Sequence, residues 1–271
     1  MKIGVQVYSV RDYAEKDFAA TMKKIKEMGY DGVELAGTYG NSAKDVKKVL
    51  DDLGLIAISA HVPMVDMYEK PDETFSFYKE IGIPYIAVPY MSDEYRPGTP
   101  AFPNTIEMIR KIAKTAKKYG MQLLYHNHDF EFVKVDGKYG LDVLYDAIPA
   151  DLLQTELDTC WVKVAGEDPA AYVTKYAGRA PIVHLKDFYK EDGATRDNMY
   201  ELIGVAKKAK QSSAFEFRAV GHGMQRFPVI IDAAEAAGSK WLIVEQDRPS
   251  QGLTSLESVD LSRKYLRSLG Y

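Results

Sequence analysis

Histidine and carboxylate side chains crowd one short stretch of this chain, LLYHNHDFEF, from Leu123 to Phe132. An apolar run of the kind that forms a buried strand ends there in four polar residues, His126, His128, Asp129 and Glu131. Imidazoles and carboxylates are common ligands of divalent metals and common general acids and bases. The stretch therefore predicts a catalytic or metal-binding site at the end of a strand.

Four other strand-like segments end in polar groups in the same way. They are ISAH at His61, TELD at Asp158, VHLKD at His184 to Asp187, and IVEQD at Glu245 to Asp247. Polar residues at the C-terminal ends of successive strands are typical of an α/β barrel active site, because those ends meet at one face of the barrel. We expect these side chains to converge on one pocket.

The elements that must position these residues alternate along the whole chain. Short β-rich runs are followed by segments with helical periodicity, such as Phe18 to Met28 before the helix stop Gly29, and this alternation favours a parallel sheet. Eight strand-helix units can be counted between Ile3 and the C-terminal helix. That number predicts a closed (β/α)8 TIM barrel, forming one domain over residues 1–271.

Two connections are unusually long. Residues 92–103 contain three prolines and a glycine, and we predict a long loop beside the strand ends, where ordered loops often act as lids. Residues 187–226 form the longest irregular connection, with a predicted helix from Met199 to Ala209 and the turn Gly221-His222-Gly223.

Composition excludes several classes of partner. The chain has 35 Lys and Arg against 39 Asp and Glu, so it lacks the basic character of a nucleic-acid-binding protein. No apolar run approaches the ~18 residues of a membrane span. The single cysteine, Cys160, excludes an internal disulfide and is expected to be a buried small residue in a reducing compartment. Because no signal peptide pattern opens the sequence, we predict a cytoplasmic enzyme unless such a peptide was removed before residue 1.

Asp158, His184 and Glu245 follow three separate predicted strands, and this mixed carboxylate and imidazole set suits Mn²⁺, Mg²⁺, Co²⁺ or Zn²⁺. A divalent ion that chelates the carbonyl and hydroxyl oxygens of an α-hydroxy ketone makes the intervening C–H more acidic. A nearby base then removes the proton. Its return to the other face gives epimerisation, its return to the neighbouring carbon gives isomerisation, and loss of a β-oxygen gives elimination, so the ligand set alone leaves all three open.

Further polar residues accompany this set. Lys186 lies two residues after His184, so both point to the same side of a strand. Lys186 is predicted either to bind a phosphate, carboxylate or enediolate oxygen or to form a salt bridge with Asp187 or Glu245. His61 is either a pocket wall that touches substrate or a core histidine. Glu34 and Glu156 favour ion pairs inside the barrel.

The order of the motifs HNHDFEF, ELDTCW, HLKD, GHG and IVEQD, after the opening KIGVQVYSVRD and GYDGVEL, resembles the sugar phosphate isomerase/epimerase family of xylose isomerase-like TIM barrels. The resemblance spans essentially the whole chain. It implies a divalent metal with one ligand from each of strands five to eight, and Asp158, His184 and Glu245 match the last three positions. For the first position we favour Glu131, with His126 as a catalytic or substrate-binding group; the rival assignment exchanges the two.

The chain also departs from the family pattern. Epimerases of this family resemble one another in using two metal-bound glutamates as opposed bases, and here only Glu245 has a clear match. Trp161 stands where relatives often have a histidine, and His222 where a glutamate is common. Trp161 and His222 are predicted to bind substrate together with His61 and His128. The predicted catalytic residues are His126, Lys186 and Glu245.

We therefore predict a metal-dependent isomerase or epimerase that acts on a keto-sugar, polyol or sugar phosphate through an enediolate. One alternative is a metal-dependent lyase, dehydratase or hydrolase acting on an inosose or a 3-keto-glycoside, and another is a sugar-binding barrel without catalysis. The expected partner is a small carbohydrate, with no nucleic acid and no membrane; assembly into a homo-oligomer is left open.

Overall fold

A closed barrel of eight parallel strands forms the centre of the computed structural model, which describes residues 1–191 and 215–271. Each strand pairs with the next one along the chain, and β1 closes the ring on β8. The predicted (β/α)8 TIM barrel is thus confirmed. The strands are β1 (Lys2–Gln6), β2 (Gly32–Ala36), β3 (Ile56–His61), β4 (Tyr85–Val88), β5 (Gln122–His126), β6 (Leu153–Asp158), β7 (Ile182–Leu185) and β8 (Trp241–Val244).

Helices follow the strands and surround the barrel. Those of the described residues are α1 (Arg11–Ala14), α2 (Phe18–Met28), α3 (Ala43–Leu53), α4 (Met64–Glu69), α5 (Pro71–Ile81), α6 (Phe102–Lys118), α7 (Gly140–Ala147), α8 (Thr159–Val164), α9 (Pro169–Lys175), α10 (Phe227–Ala236) and α11 (Ser255–Ser268). None of these helices is long and apolar enough to cross a membrane.

Two antiparallel hairpins lie outside the barrel sheet. One pairs Lys134–Val135 with Lys138–Tyr139, and the other pairs Asp187–Lys190 with Phe215–Arg218. The second hairpin flanks the connection after β7, so it extends the C-terminal face of the barrel. The predicted helix from Met199 to Ala209 falls outside the described residues.

The element boundaries follow local side-chain chemistry. The side chain of Asp17 accepts a hydrogen bond from the Ala20 amide and so caps α2, which ends at Gly29 with a φ of 86°. The first strand ends at Gln6, because the Gln6 side chain accepts a hydrogen bond from the Tyr8 amide and starts a 3-10 turn.

The loop predicted over 92–103 is shorter than expected. A 3-10 turn spans Asp93–Tyr95, and α6 already begins at Phe102. Pro103 does not delay the helix, since proline is well tolerated in the first helical turn, where its missing N–H has no intrahelical partner.

The inside of the barrel changes from apolar to charged along the strands. Apolar residues form a compact layer at one level, and polar residues follow two positions further along several strands. The layer consists of Ile58, Ala87, Leu124, Ile182, Trp241 and Ile243, with Tyr85 packed against it. Since side chains on one face of a strand recur every second residue, this layer forms the floor beneath the polar residues.

The floor should carry much of the barrel's stability. Replacing Ile243, which is fully buried, with alanine should lower the free energy of unfolding by about 2–5 kcal/mol because the closed barrel cannot collapse around the cavity. Ile56, also on a barrel strand but 39% exposed, is the matched control, and its alanine variant should change stability by about 0.5 kcal/mol or less. Urea titration followed by circular dichroism measures both. Equal losses for the two variants would contradict this account.

Candidate active site and metal centre

Strand alternation brings the predicted ligands to one level above the apolar floor. His126 follows Leu124 by two residues on β5, and Glu245 follows Ile243 by two residues after β8. On β7 the same spacing relates His184 to Ile182. The period of two that buries the floor residues therefore also directs these polar side chains into the barrel mouth.

Four side chains meet closely enough to hold one ion. The ligand atoms of His126, Asp158, His184 and Glu245 all lie within 4.8 Å of one another. His126 Nε2 is 3.7 Å from Asp158 Oδ2 and 3.9 Å from Glu245 Oε2, and His184 Nδ1 is 2.9 Å from the same glutamate oxygen. All four residues are buried. The three residues predicted from separate strand ends are thus brought together, and His126 completes the set. These four residues, His126, Asp158, His184 and Glu245, form the candidate metal group, called the metal group below.

Asp158 shows that this group fits a cation. Its Oδ1 accepts hydrogen bonds from the amides of Cys160, at 2.8 Å, and Trp161, at 3.1 Å, and so caps α8. Its Oδ2 is buried and has no hydrogen-bond partner in residues 1–191 and 215–271. Leaving a buried carboxylate oxygen without a partner is costly, and a divalent cation is the natural partner for an oxygen that faces two imidazoles and a second carboxylate.

The end of β5 is fixed to the end of β6 by Asn127. Its side-chain oxygen accepts a hydrogen bond from the Asp158 amide at 3.0 Å, and its Nδ2 donates to the Asp158 carbonyl at 3.3 Å. This pair of bonds holds His126 and Asp158 in register. The HNHD motif had pointed to its histidines, whereas the asparagine between them has this positioning role.

Glu131, favoured from the sequence as the β5 ligand, lies in neither four-residue group that could hold a metal. Its Oε1 accepts a hydrogen bond from the Tyr125 hydroxyl at 2.5 Å, and its Oε2 accepts one from the His128 amide at 2.8 Å. Burial raises the pKa of Glu131 to about 8. Both oxygens therefore hold the loop after β5, and the geometry favours the rival assignment, in which His126 occupies the ligand position.

A second polar layer lies directly beneath the metal group. His61 Nε2 is 2.5 Å from Glu156 Oε1 and 3.1 Å from Glu34 Oε1, and His184 Nε2 is 2.8 Å from that same Glu34 oxygen. Gln6 Nε2 also donates to Glu34 at 2.7 Å. This agrees with the prediction that Glu34 and Glu156 form ion pairs inside the barrel. The layer orients the His184 ring, and such supports of metal ligands are themselves important for affinity.

The charges in this layer stabilise one another. Burial by itself lowers the pKa of His61, but the carboxylates of Glu34 and Glu156 raise it by more. The net pKa of His61 is about 10. Burial raises the pKa of Glu34, yet the imidazoles of His61 and His184 bring it well below its usual range. Ion pairing therefore outweighs desolvation at Glu34 and His61.

Lys186 carries a buried positive charge beside the metal group. Its Nζ lies 2.6 Å from Asp247 Oδ2, 3.5 Å from Glu245 Oε2 and 3.7 Å from Asp158 Oδ2. Burial lowers its pKa, but the three carboxylates raise it by more, so the net direction is upward. Lys186 is therefore held as an ammonium ion. Its salt bridge is to Asp247 and Glu245, and Asp187 is engaged elsewhere.

Asp187 holds the turn that contains Gly221, His222 and Gly223. Its Oδ2 accepts hydrogen bonds from the amides of Gly221, at 3.0 Å, and Gly223, at 2.8 Å, and its Oδ1 accepts one from Gln225 at 3.1 Å. A Cβ on Gly223 would lie 2.4 Å from Asp187 Oδ1. The GHG pattern thus reflects the close approach of this turn to a buried carboxylate.

A pocket of about 490 Å³ opens above the metal group. Five of the predicted site residues line it: His61, His126, His128, Lys186 and Glu245. Asp247, from the strand end IVEQD that was expected to reach the pocket, also lines it, as does Tyr8, whereas Tyr90 is a wall residue that sequence reasoning did not select. Asp247 follows Glu245 by two residues just as Lys186 follows His184, so alternation along each segment points both residues to the same side.

The family model for the xylose isomerase-like TIM barrel matches residues 22–269. The chain belongs to this family. The prediction of a xylose isomerase-like barrel is therefore confirmed, and the metal group lies at the barrel face where enzymes of this fold carry their active sites.

Among curated members, an inosose dehydratase from Clostridium perfringens is 25% identical over 276 residues, covering 93% of this chain and 90% of its own length. A sugar phosphate isomerase/epimerase structure from Parabacteroides distasonis superposes with a TM-score of 0.77 at 22% identity, covering 98% of this chain and 93% of that one. A probable 3-DHS dehydratase from Bacillus anthracis gives 0.76 at 14%, covering 98% and 99%. These relatives are enzymes by name, and the prediction that this chain is an enzyme is confirmed.

Two predicted substrate-binding residues lie away from the pocket of this xylose isomerase-like barrel. Trp161 is fully buried, with its ring 5.3 Å from that of His128 and 5.2 Å from Lys186 Nζ, so it packs behind both. His222 is exposed, and its ring lies 6.4 Å from that of Tyr265. The turn presents its amides to Asp187, and the His222 side chain is left on the outer surface.

Metal content will decide between the two candidate ligands on β5. Replacing His126 with glutamine should weaken binding of Mn²⁺ by at least ~10-fold, as should Asp158→Asn, because each removes a donor from the four-residue group. Glu131→Gln should retain the metal, since its oxygens are bonded to Tyr125 and the His128 amide. Dialysis followed by elemental analysis gives the readout, and the exposed Asp151→Asn, before the same strand as Asp158, is the control.

The opposite pattern, with metal lost in Glu131→Gln and kept in His126→Gln, would restore Glu131 as the ligand. Retention of metal in Asp158→Asn would show that the whole group has been misassigned.

Proposed function

We propose that this enzyme removes water from a small keto-polyol of the inosose type, with a divalent ion held by His126, Asp158, His184 and Glu245. The observation that carries the proposal is the composition of the metal group. It contains a single glutamate, Glu245, and an imidazole from β5, so the pair of opposed glutamates that would suit a symmetric epimerase is not available. Full-length similarity to inosose dehydratases supports the same choice.

Two imidazoles and two carboxylates favour Mn²⁺, Co²⁺ or Zn²⁺ over Mg²⁺, which prefers an all-oxygen shell. A divalent ion bound there would withdraw charge from the carbonyl and hydroxyl oxygens of an α-hydroxy ketone and so acidify the C–H between them. The protein residues around the group then have to accept one proton, donate another and compensate the negative charge that develops on oxygen.

His128 is the proposed proton acceptor. It lines the pocket, and burial together with the charge of Lys186 lowers its pKa well below the usual range, so the ring is neutral at pH 7. Its ring stacks on that of Phe130, with the centroids 5.3 Å apart and the planes 3° from parallel. A neutral imidazole held in one orientation is suited to take a proton from carbon.

Lys186 is the proposed partner of the developing oxyanion. Its ammonium group lines the pocket and is fixed by Asp247, so it donates a hydrogen bond from a preset position. Preorganised donors of this kind stabilise the transition state strongly. We assign proton donation to His61, which also lines the pocket and is held at Nε2 by Glu156.

In the proposed reaction, His128 gains one proton and His61 gives up one. His128 takes the proton from the carbon beside the ketone, and that C–H electron pair forms the C=C bond of an enolate whose oxygen carries the negative charge that Lys186 compensates. Collapse of the enolate restores the ketone and forms a C=C bond to the β-carbon. The C–O bond at the β-carbon breaks, and the departing oxygen accepts a proton from His61 and leaves as water. The proton gained by His128 returns to His61 through solvent, so the products are an unsaturated or diketone ring and one water molecule.

A direct test is incubation of the metal-loaded enzyme with an inosose in deuterated water. We expect a product lighter by one water in mass spectrometry, and no product after the metal has been chelated. An epimer or an aldose-ketose isomer of unchanged mass would transfer the assignment to the isomerase or epimerase function. Absence of both product and C–H exchange across a panel of inososes and keto-sugars would refute an enolate mechanism.

Lys186→Met should separate metal binding from turnover. Removing the ammonium group takes away a repulsive charge beside Asp158 and Glu245, so metal affinity should stay equal or increase, while kcat should fall by about 10²–10³ through loss of the oxyanion donor. Metal titration and steady-state kinetics measure the two quantities. Lys240→Met, at an exposed lysine before β8, is the matched control and should leave both unchanged. A parallel loss of metal would assign Lys186 a structural role.

A further inference from the structure

We propose that the active site continues into an apolar subsite that binds a ring-shaped, uncharged substituent of the substrate, such as an aryl group attached to a keto-sugar or keto-cyclitol. The inference rests on the proposed function for the reacting ring, and it extends that function by naming the class of substrate. The subsite is a second cavity beside the metal pocket.

The second cavity has a volume of about 240 Å³ and lies between the segments that follow β3 and β4. It shares Pro63, Pro89 and Tyr90 with the metal pocket. The two cavities therefore border the same three side chains, and a ligand whose reactive ring occupies the larger one can extend past Tyr90 into the smaller. The remaining lining residues are Met64, Val65, Ser92 and Tyr95.

The lining chemistry selects an apolar and planar group. Two prolines, Met64, Val65 and two tyrosine rings offer flat or adaptable apolar surface, and the serine is the exception. Aromatic and thioether side chains are typical of sites that bind ring-shaped apolar groups. Val65 is 38% exposed although it is a large apolar side chain. Covering Val65 and Pro63 is a physical gain that a bare polyol cannot provide.

Tyr90 forms a wall shared by the two cavities. Its ring makes edge contacts with His128 and Phe130, with centroid distances of 5.3 and 5.5 Å. Its hydroxyl group is engaged by Arg96. Because the hydroxyl already has this partner, the ring itself is what Tyr90 offers to a ligand on either side.

Charge argues against an anionic substituent such as a phosphate. The Arg96 guanidinium near this subsite donates to the Met91 carbonyl at 2.9 Å, forms an ion pair with Asp93 at 2.7 Å and lies 3.9 Å above the Phe130 ring. The cation of the metal pocket, Lys186, is already surrounded by three carboxylates. Within the described ranges, the cations at these cavities are thus committed to protein carboxylates.

The volume of the metal pocket supports a substituted substrate. Its 490 Å³ alone lies within the range of about 300–1,000 Å³ that accommodates drug-sized ligands, so a single six-membered polyol ring does not require the adjoining cavity. An occupant of the adjoining cavity belongs to a larger molecule whose reactive ring sits over the metal group.

The test compares binding of phenyl and methyl β-glucosides, which share a sugar ring and lack the ketone needed for turnover. By calorimetry on the metal-loaded enzyme, the phenyl glycoside should bind about tenfold more tightly, since burying one aromatic ring contributes at least ~1.4 kcal/mol. Val65→Glu should abolish this preference and leave the methyl glycoside unaffected. The milder Val65→Thr should reduce it.

Val229→Glu is the matched control. Val229 is 44% exposed and, like Val65, lies in the first turn of a helix, where a glutamate is favourable for the helix dipole. The control should keep the phenyl preference of the wild type. Equal or undetectable binding of both glycosides by the wild type, or an unchanged preference in Val65→Glu, would overturn the subsite.

The two proposals fail separately. Dehydration of an inosose together with equal binding of the two glucosides would refute the subsite and leave the proposed function intact. Preferential binding of the phenyl glycoside without C–H exchange in any keto-sugar would support the subsite and refute the proposed reaction.

Discussion

Mutual compensation of buried charges is the constraint on which this structure depends. At the barrel mouth Lys186 is matched with Asp158, Glu245 and Asp247, while Glu34 and Glu156 are matched with His61 and His184 one layer below. An unpaired buried charge costs several kcal/mol, so no member of these sets is stable alone. The set above is still short of positive charge, and one Asp158 oxygen has no hydrogen-bond partner in the described part of the chain. A divalent cation bound by this group would correct both deficits at once.

The closed parallel barrel places these charged side chains close enough to compensate one another. Ligands that are more than a hundred residues apart along the sequence, such as His126 and Glu245, approach to 3.9 Å because their strands end at the same level. The rigid apolar floor beneath them fixes the strand register, and with it the side-chain positions. Asn127 and Asp187 then hold the loops that follow β5 and β7. Positioning therefore costs little conformational entropy at the site itself, which favours both metal binding and catalysis.

The fold and three residues of the candidate metal group could be predicted from sequence, because both depend on periodicity. Alternating strands and helices define the barrel, and Asp158, His184 and Glu245 stand at strand ends where the period of two points them inward. The sequence left the β5 position open between His126 and Glu131, since Glu131 sits in a loop whose path depends on contacts with Tyr125. Tyr90 was missed because an aromatic residue in a pocket wall has the same sequence pattern as one in a core. The outward position of His222 could not be predicted, because it depends on hydrogen bonds between the backbone of its turn and Asp187, which is far away in the sequence.

The two halves of the barrel have different tasks. All four residues of the metal group come from β5 to β8, whereas most of the apolar pocket wall comes from segments after β1 to β4, including Tyr8, Pro63, Pro89 and Tyr90. Charge compensation makes the residues at the ends of β5 to β8 hard to vary, since each change leaves another buried charge unmatched. The apolar wall residues after β1 to β4 can be replaced with little effect on the metal group. In a barrel built in this way, the wall that faces the substrate can change while the buried charges stay matched, as expected of a fold whose function resides in its site residues.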